Sequence, residues 1–287
     1  MRSFTRVVSI LVLVAGASTA FGQIEARDMA VGSLHNWYAN TGCEIEEGRA
    51  RAQQQNGLQW PAIYKYQDMQ AAKGLWIGCT NFTDPGGSNY AKKVVHVGPR
   101  VRGEGAGTDG GFFPITWQTI SRFEPPTVYI DGAQSEGKPL TNDAVDPTMK
   151  ADRMILNVVN TSIGLTMTRK IMAFSQSFHD SYIIYDYTFT NTGNTNKDTV
   201  TELPNNTLTG VYFYYQYRYA ICRETRYLFG NATGWGINTM NDTRGDGVKP
   251  YPPGQNVRAQ YAWHGKYPPF TSYDNIAGPI WRRDSEK

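Results

Sequence analysis

The stretch with the best spacing for metal chemistry runs from residue 233 to residue 247. Asn238, Asn241, Asp242 and Asp246 offer hard oxygen ligands there, and the glycines between them let backbone carbonyls turn inward. Oxygen ligands of this kind suit Ca²⁺. The spacing departs from the EF-hand pattern, and a solvated turn rich in Asn and Asp explains the same residues. We favour the turn and keep Asn241, Asp242 and Asp246 as candidate ligands of a structural Ca²⁺.

Aromatic residues in the same region are candidates for carbohydrate binding. Trp235, Tyr251 and Trp263 lie in sequence rich in Gly, Pro and Asn, where turns expose side chains. Sugar rings stack on exposed aromatic faces, so these three residues are our candidate ligand-binding residues. Aromatics on a sheet more often fill a core or form cross-strand ladders. We expect that structural role for four tyrosines, Tyr185, Tyr187, Tyr212 and Tyr214.

Residues for catalysis are not assigned. The sequence has no Gly-x-Ser-x-Gly elbow, no His-Glu-x-x-His helix and no phosphate loop. Glycoside hydrolysis needs two carboxylates at a defined separation, and the sequence does not bring any two of its aspartates together. We therefore favour a non-enzymatic function.

The N-terminus has the layout of a signal peptide over residues 1–22. Arg2 and Arg6 precede an apolar stretch of about eleven residues, and Ala20 and Gly22 supply small residues at a cleavage site before Gln23. A membrane-spanning helix needs roughly 20 apolar residues. We expect a secreted or cell-surface chain without a transmembrane segment after cleavage.

Charge and cysteine content argue against a nucleic-acid-binding, a disulfide-rich or a zinc-binding protein. Charged residues make up 18% of the chain, below the usual value of about 25%, and the basic residues are too dispersed for a nucleic-acid interface. The chain has three cysteines, so at most one intramolecular disulfide can form. We expect Cys43 to pair with Cys79, leaving Cys222, and the scattered histidines give no zinc site.

Apolar alternation predicts the elements. Strands are expected at 163–171, 182–190 and 211–220, with Arg169 interrupting the apolar side of the first. Shorter strands are expected at 94–97, 128–130 and 154–159, exposed connections at 98–111 and 133–147, and one short helix at 62–73. Many strands separated by Gly, Pro and Asn predict an all-β fold, an antiparallel β-sandwich with long loops and at most short helices. The sandwich region, 23–287, is expected as one unit, with a possible division near 125–150.

Six segments resemble a known group of proteins. The segments are Ser33-Leu-His-Asn-Trp-Tyr38, Gly74-Leu-Trp-Ile-Gly78, Lys93-Val-Val-His-Val-Gly-Pro-Arg100, Ala151-Asp-Arg-Met154, Asn157-Val-Val-Asn-Thr-Ser162 and Tyr185-Asp-Tyr-Thr-Phe-Thr-Asn-Thr-Gly193. They are similar to large uncharacterised exported proteins of Bacteroidetes-like and related environmental bacteria, which often carry a C-terminal type IX secretion sorting domain. The resemblance implies an exported, β-rich surface protein and assigns no catalytic residue. That sorting domain is absent here, so we expect the sequence to be the N-terminal portion of a longer protein.

These expectations combine into one functional hypothesis. We expect a non-enzymatic structural or adhesive module of a secreted or cell-surface bacterial protein, with an extracellular glycan or another surface protein as its partner. The alternative is a carbohydrate-binding module, or the front part of a polysaccharide-active enzyme. Fold alone does not separate these classes, because β-sandwiches host both.

Overall fold

The computed structural model describes residues 25–44, 57–63, 69–98, 110–135, 142–219, 239–244 and 259–264. Every regular element in these ranges is a β-strand, which confirms the all-β prediction. The predicted signal peptide, residues 1–22, lies outside them. The strands are β1 (Ala26–Val31), β2 (Leu34–Ala39), β3 (Gln70–Thr83), β4 (Asn89–Val97), β5 (Phe112–Ser121), β6 (Tyr129–Ile130), β7 (Ala133–Gln134), β8 (Ala144–Val145), β9 (Arg153–Thr161), β10 (Leu165–Ala173), β11 (Ile183–Asn191), β12 (Thr209–Tyr219), β13 (Thr239–Arg244) and β14 (Ala259–His264).

Two sheets form the layers of the sandwich. One has five strands in the order β11-β10-β9-β5-β8, and the other has three in the order β12-β3-β4. All pairs are antiparallel except the short pair of β5 with β8. The inward side chains of both sheets, including Ile77, Val95, Val159 and Met167, share one apolar cluster. Burial of this cluster holds the two layers together.

The N-terminal hairpin of β1 and β2 covers the other end of the five-stranded sheet. Met29 and Tyr38 pack there against Ile155, Ile171 and Ala173 in a second buried cluster. Tyr38 also contacts β11, because its hydroxyl lies 2.9 Å from that of Tyr185. The hairpin thus extends the layer formed by β12, β3 and β4.

A polar band separates the two apolar clusters on the inner face of β10. Arg169 follows Met167 of the first cluster and precedes Ile171 of the second, and it is fully buried. Its register partners are Asn157 on β9 and Tyr187 on β11. The residue that interrupts the apolar alternation therefore points into the core with its neighbours.

The alternating segments form strands close to the predicted bounds. The predicted strands at 163–171, 182–190 and 211–220 correspond to β10, β11 and β12, and the shorter ones fall within β4, β6 and β9. The predicted connection at 133–147 contains two short strands, β7 and β8. Gly98, Gly110 and Gly111, at the ends of the predicted loop 98–111, are buried rather than exposed, and residues 99–109 lie outside the described ranges.

The helix expected at 62–73 is wrong at both ends of that range, and residues 64–68 lie outside the described ranges. Ala62 and Ile63 lie in a turn, and Gln70–Lys73 are the first residues of β3. Tyr217 pairs with Lys73 and Arg218 with Ala72, so cross-strand hydrogen bonding decides the conformation of this segment. Apolar residues three apart fit a helix on spacing alone, but tertiary pairing overrides such a local preference.

The expected Cys43–Cys79 disulfide is also wrong, since both residues are buried free thiols. Glu44 forms a β-bridge with Lys73, which places Cys43 beside Gly74. Cys79 lies five residues farther along β3, or about 17 Å at the usual rise of a strand. A disulfide requires Cα atoms within about 7 Å. Burial raises the pKa of both thiols, which keeps them protonated.

Candidate functional site

The outer face of the three-stranded sheet carries a row of aromatic side chains. Trp76 on the central strand β3 pairs with Tyr214 on β12 and with His96 on β4, so the three stand side by side across the sheet. In the next row Tyr212 pairs with Gly78, which pairs with Val94. We call Trp76, His96, Tyr212 and Tyr214 the aromatic face.

The rings of the aromatic face are open to solvent and are not coplanar. Trp76 is 37% exposed, Tyr214 57% and Tyr212 75%. The centroids of Trp76 and Tyr214 lie 6.1 Å apart with an interplanar angle of 75°, and those of Trp76 and His96 lie 5.1 Å apart at 56°. Edge-to-face geometry of this kind is favourable between rings, and it gives the surface ridges rather than a flat plane.

Two glycines on β3 keep Trp76 accessible. Gly74 and Gly78 lie two residues to either side of Trp76 and so share its face. The backbone of Gly98 crosses Gly74 so closely that an added Cβ would lie 2.4 Å from the Gly98 carbonyl oxygen. That same oxygen accepts a hydrogen bond of 2.9 Å from Trp76 Nε1, which fixes the indole. Gly78 leaves a shallow depression between Tyr212 and Val94.

The surroundings of the aromatic face are polar and carry no acidic group from this sheet. The Thr80 and Thr209 hydroxyls lie on the same face, 3.0 Å apart. Gln216 follows Tyr214 on the outward side of β12. Strands β3, β4 and β12 contain no Asp or Glu, so they supply no carboxylate pair of the kind that hydrolyses glycosides.

A second group of functional side chains is buried behind this sheet. Lys73 Nζ lies 3.1 Å from Glu44 Oε1. The other carboxylate oxygen, Oε2, accepts hydrogen bonds of 2.6 Å from Asn36 Nδ2 and 2.7 Å from Gln70 Nε2. All four residues are buried. We call Asn36, Glu44, Gln70 and Lys73 the buried ion cluster.

Tyrosine rings surround the amine of this cluster. Lys73 Nζ lies 3.5 Å from the ring centroid of Tyr185, 5.4 Å from that of Tyr217 and 5.9 Å from that of Tyr187. Burial, the largest influence, lowers the pKa of the Lys73 ammonium, but Glu44 and the tyrosines raise it more, so the net pKa lies above its usual value. Burial also raises the pKa of Tyr185 well above its usual value. The cluster is a dry, aromatic-lined ion pair.

None of the residues that the sequence favoured as site residues belongs to either group, and several lie outside the described ranges. Trp235, Tyr251 and Asp246 are outside them. Trp263 lies on β14 and pairs with Met240 of β13, while Asn241 and Asp242 are consecutive residues of β13. At these two positions the backbone is a strand, so the turn that we favoured there is wrong. Within the described residues, no three His, Cys, Asp or Glu side chains group to hold a metal ion.

The structural role expected for four tyrosines, core packing or cross-strand ring contact, holds for three of them. Tyr185 and Tyr187 pack on the inner side of β11 with rings stacked 6.3 Å apart. Tyr214 is exposed but contacts Trp76 across strands, as the ladder alternative predicts. Tyr212 is the most exposed of the four, so the expected structural role is wrong for it. Both faces of β12 are aromatic, so its sequence does not indicate which face turns inward.

Sequence reasoning also missed Trp76 and the buried ion cluster. One signal for Trp76 was present, because a Trp with Gly at both i−2 and i+2 has no large neighbours on its own strand face. The cluster had no such signal, since its residues come from separate segments.

Comparisons with known proteins leave the chain without a match among protein-family models, curated proteins or solved structures. The resemblance to exported bacterial proteins therefore stays a prediction. In the part of the chain that the structure describes, no helix is long and apolar enough to cross a bilayer.

Proposed function

We propose that this chain is a non-enzymatic adhesive module of an exported bacterial protein, and that its aromatic face binds an extracellular glycan. The observation that carries the proposal is the exposed row of Trp76, Tyr214 and His96, with Tyr212 beside it. Large aromatic side chains clustered on an open sheet face are costly in water, and such clusters commonly mark interaction sites.

Sugar chemistry fits this surface better than an ionic or purely apolar partner. The faces of aromatic rings carry negative partial charge and attract the C–H groups of a pyranose ring. The hydroxyls of Thr80 and Thr209, the amide of Gln216 and the imidazole of His96 can exchange hydrogen bonds with sugar hydroxyls.

The ring angles narrow the class of glycan. A crystalline polysaccharide presents a flat surface, which requires coplanar rings. The angles of 75° and 56° around Trp76 form ridges with a depression at Gly78. We therefore propose a single, soluble polysaccharide chain as the ligand. Binding rather than cleavage is the proposed activity, because the sheet contributes no carboxylate pair.

Affinity measurements with one substitution test the proposal. The chain is screened for binding to soluble polysaccharides, and Trp76→Ala is then compared by calorimetry on any polysaccharide that binds. A central aromatic contact contributes more than about 1.4 kcal/mol, so the substitution weakens binding about tenfold or more. Gly78→Thr fills the depression and weakens binding in the same direction.

Trp60→Ala is the matched control. Trp60 is another partly exposed tryptophan with an indole hydrogen bond, to Ser181 Oγ at 3.3 Å, and it lies away from the aromatic face. Its substitution leaves the affinity unchanged. If Trp76→Ala binds as tightly as the unsubstituted chain, the aromatic face is not the binding site. If the folded chain binds no polysaccharide, the proposed glycan-binding function is wrong.

Export is part of the same proposal. A signal peptide over residues 1–22 predicts that bacterial secretion yields a chain starting at Gln23. N-terminal sequencing of the chain recovered outside the cells checks this, and retention of Met1 inside the cells would contradict it.

A further inference from the structure

The buried ion cluster brings together the three groups that an amide-forming reaction requires. The amine is Lys73 Nζ, the acyl group is the carboxamide of Asn36, and Glu44 contacts both through its two carboxylate oxygens at 3.1 Å and 2.6 Å. A lysine and an asparagine from different sheets thus meet at one carboxylate. Neither residue belongs to the aromatic face, so chemistry at this cluster is independent of glycan binding.

The amine of Lys73 is enclosed by apolar rings, and the group that can take its proton, the Glu44 carboxylate, lies beside it. All three side chains are buried, and tyrosine rings lie against Lys73 Nζ. Separated charges are expensive in a dry interior. Glu44 stabilises the ammonium form of Lys73 in the resting pair, so the reaction has to begin with transfer of one proton from Lys73 Nζ to Glu44 Oε1. That transfer removes both charges and gives an amine with a free lone pair, the form of lysine that acts as a nucleophile.

We propose that Lys73 and Asn36 become joined by an intramolecular isopeptide bond, with Glu44 as the general acid and base. The Nζ lone pair attacks Asn36 Cγ, and the new Nζ–Cγ bond forms a tetrahedral intermediate. Glu44 takes the second proton from Nζ as it delivers its own to Nδ2. The Cγ–Nδ2 bond then breaks and ammonia leaves. The products are one amide and one ammonia, and no oxidant or cofactor is required.

Asn36 is the acyl group that we assign, although Gln70 also donates to Glu44 Oε2. The Asn36 side chain is shorter and has fewer rotatable bonds, and it is held on β2 of the packed N-terminal hairpin. A fixed reactant needs less ordering to reach the geometry of attack. Reaction at Gln70 is a separate outcome of the test.

Mass spectrometry of the purified full chain tests the proposal. The expected intact mass of the denatured chain is lower than the sequence mass by one ammonia. Proteolysis then yields one branched peptide that joins Lys73 to Asn36. The branched peptide is decisive, because cyclisation of an N-terminal Gln23 or a succinimide at Asn56 also releases ammonia.

Three substitutions give the reaction a distinct signature. Asn36→Asp retains the cross-link but loses one water in place of ammonia. Lys73→Arg and Glu44→Gln abolish the branched peptide, whereas Lys170→Arg, at an exposed lysine of β10, keeps it. A folded chain without the branched peptide would overturn the proposal, and a branch at Gln70 would overturn the assignment of Asn36. Neither result depends on whether the aromatic face binds a glycan.

Discussion

At the scale of single residues, Arg169 shows how a charged side chain can organise a core. Its guanidinium donates 2.8 and 2.9 Å hydrogen bonds to the Gly42 and Ala39 carbonyls, and another of 2.9 Å to Asn157 Oδ1. Asn157 in turn donates 2.7 Å to the Asn40 carbonyl. Together the two side chains satisfy backbone carbonyls at the end of β2 and in the turn that follows it.

Replacing Arg169 tests this role. Arg169→Met keeps the approximate volume but removes the donor to the Gly42 carbonyl and to Asn157 Oδ1, and each such loss costs about 1–3 kcal/mol. The Ala39 carbonyl still accepts a hydrogen bond from the Gly42 N–H. Removal of a buried charge offsets part of that cost, so we expect the free energy of unfolding to fall by about 3 kcal/mol. Chemical denaturation measures it. Lys170→Met, at the exposed next residue, is the control and leaves stability unchanged. An equally stable Arg169→Met chain would show that the turn needs no such donor.

At the scale of elements, β3 is the strand on which the sandwich and the aromatic face both depend. It pairs with β12 on one side and β4 on the other, and it presents Leu75, Ile77 and Cys79 to the core. Its two glycines, Gly74 and Gly78, have different structural roles. An added Cβ at Gly74 meets the Gly98 backbone at 2.4 and 2.5 Å and the Val97 carbonyl oxygen at 2.6 Å, whereas one at Gly78 meets nothing closer than 3.8 Å.

The two glycines provide a matched pair of substitutions. Gly74→Ala forces the Gly98 backbone away from β3 and breaks the contact that anchors Trp76, so it destabilises by about 2 kcal/mol or more. Gly78→Ala has room for its methyl group and removes the entropic cost of glycine in a strand, so it stabilises by about 0.5 kcal/mol. Thermal unfolding of both variants measures the difference. Equal changes in stability for Gly74→Ala and Gly78→Ala would mean that the close approach of the Gly98 backbone does not restrict the residue at position 74.

Alternation in the sequence predicts β9, β10 and β11 because one face of each is less exposed than the other, and period-two alternation records that directly. It predicts the extent of β12 as well, although both faces of that strand are aromatic. It fails for β3, where Gly74 and Gly78 replace the outward side chains and remove the contrast between faces. It fails for β5 as well, where Pro114 falls at a register shift. Strands β3 and β5 form because they pair with strands that are distant in sequence. A local pattern of apolar alternation does not indicate which segments pair.

The candidate sites were harder to predict than the fold. The buried ion cluster unites residues 36, 44, 70 and 73, and only the packing of the hairpin against β3 brings them together. Trp76 and Tyr214 are 138 positions apart in sequence and meet through the register of β3 with β12. The aromatic content of the sequence predicts a glycan-binding surface. That prediction placed the surface at the C-terminal aromatics and not on the three-stranded sheet.

At the scale of the whole molecule, the interior is rich in tyrosine. Burial raises the pKa of Tyr38 and Tyr185 well above the usual value of 10.0, and Glu44 raises both further. These hydroxyls are protonated in the folded chain at a pH where the unfolded chain would ionise them. Their contribution to stability is complete below pH 10.0 and declines as the pH rises from there through the folded pKa.

The expected result is alkaline unfolding coupled to tyrosine ionisation. Above about pH 10, each buried tyrosine lowers the free energy of unfolding by about 1.4 kcal/mol per pH unit. Denaturation at a series of pH values gives the slope, and tyrosinate absorbance gives the ionisation. Tyr185→Phe reduces the slope, because it removes one of these buried hydroxyls. A slope unaffected by Tyr185→Phe would contradict the assignment.

The contacts of Arg169 have a consequence for the order in which the chain folds. The Gly42 carbonyl and its guanidinium donor are 127 residues apart in sequence, and the partner of the Tyr38 hydroxyl is 147 residues away. Chains dominated by such distant contacts fold slowly, because the entropy of loop closure is lost before the stabilising contacts form. The N-terminal hairpin is made first during synthesis but completes its packing only after β10 and β11 are available. Until then its apolar side chains, Met29 among them, are exposed and can cause aggregation. We therefore expect a holding chaperone to bind the N-terminal part of the chain during synthesis.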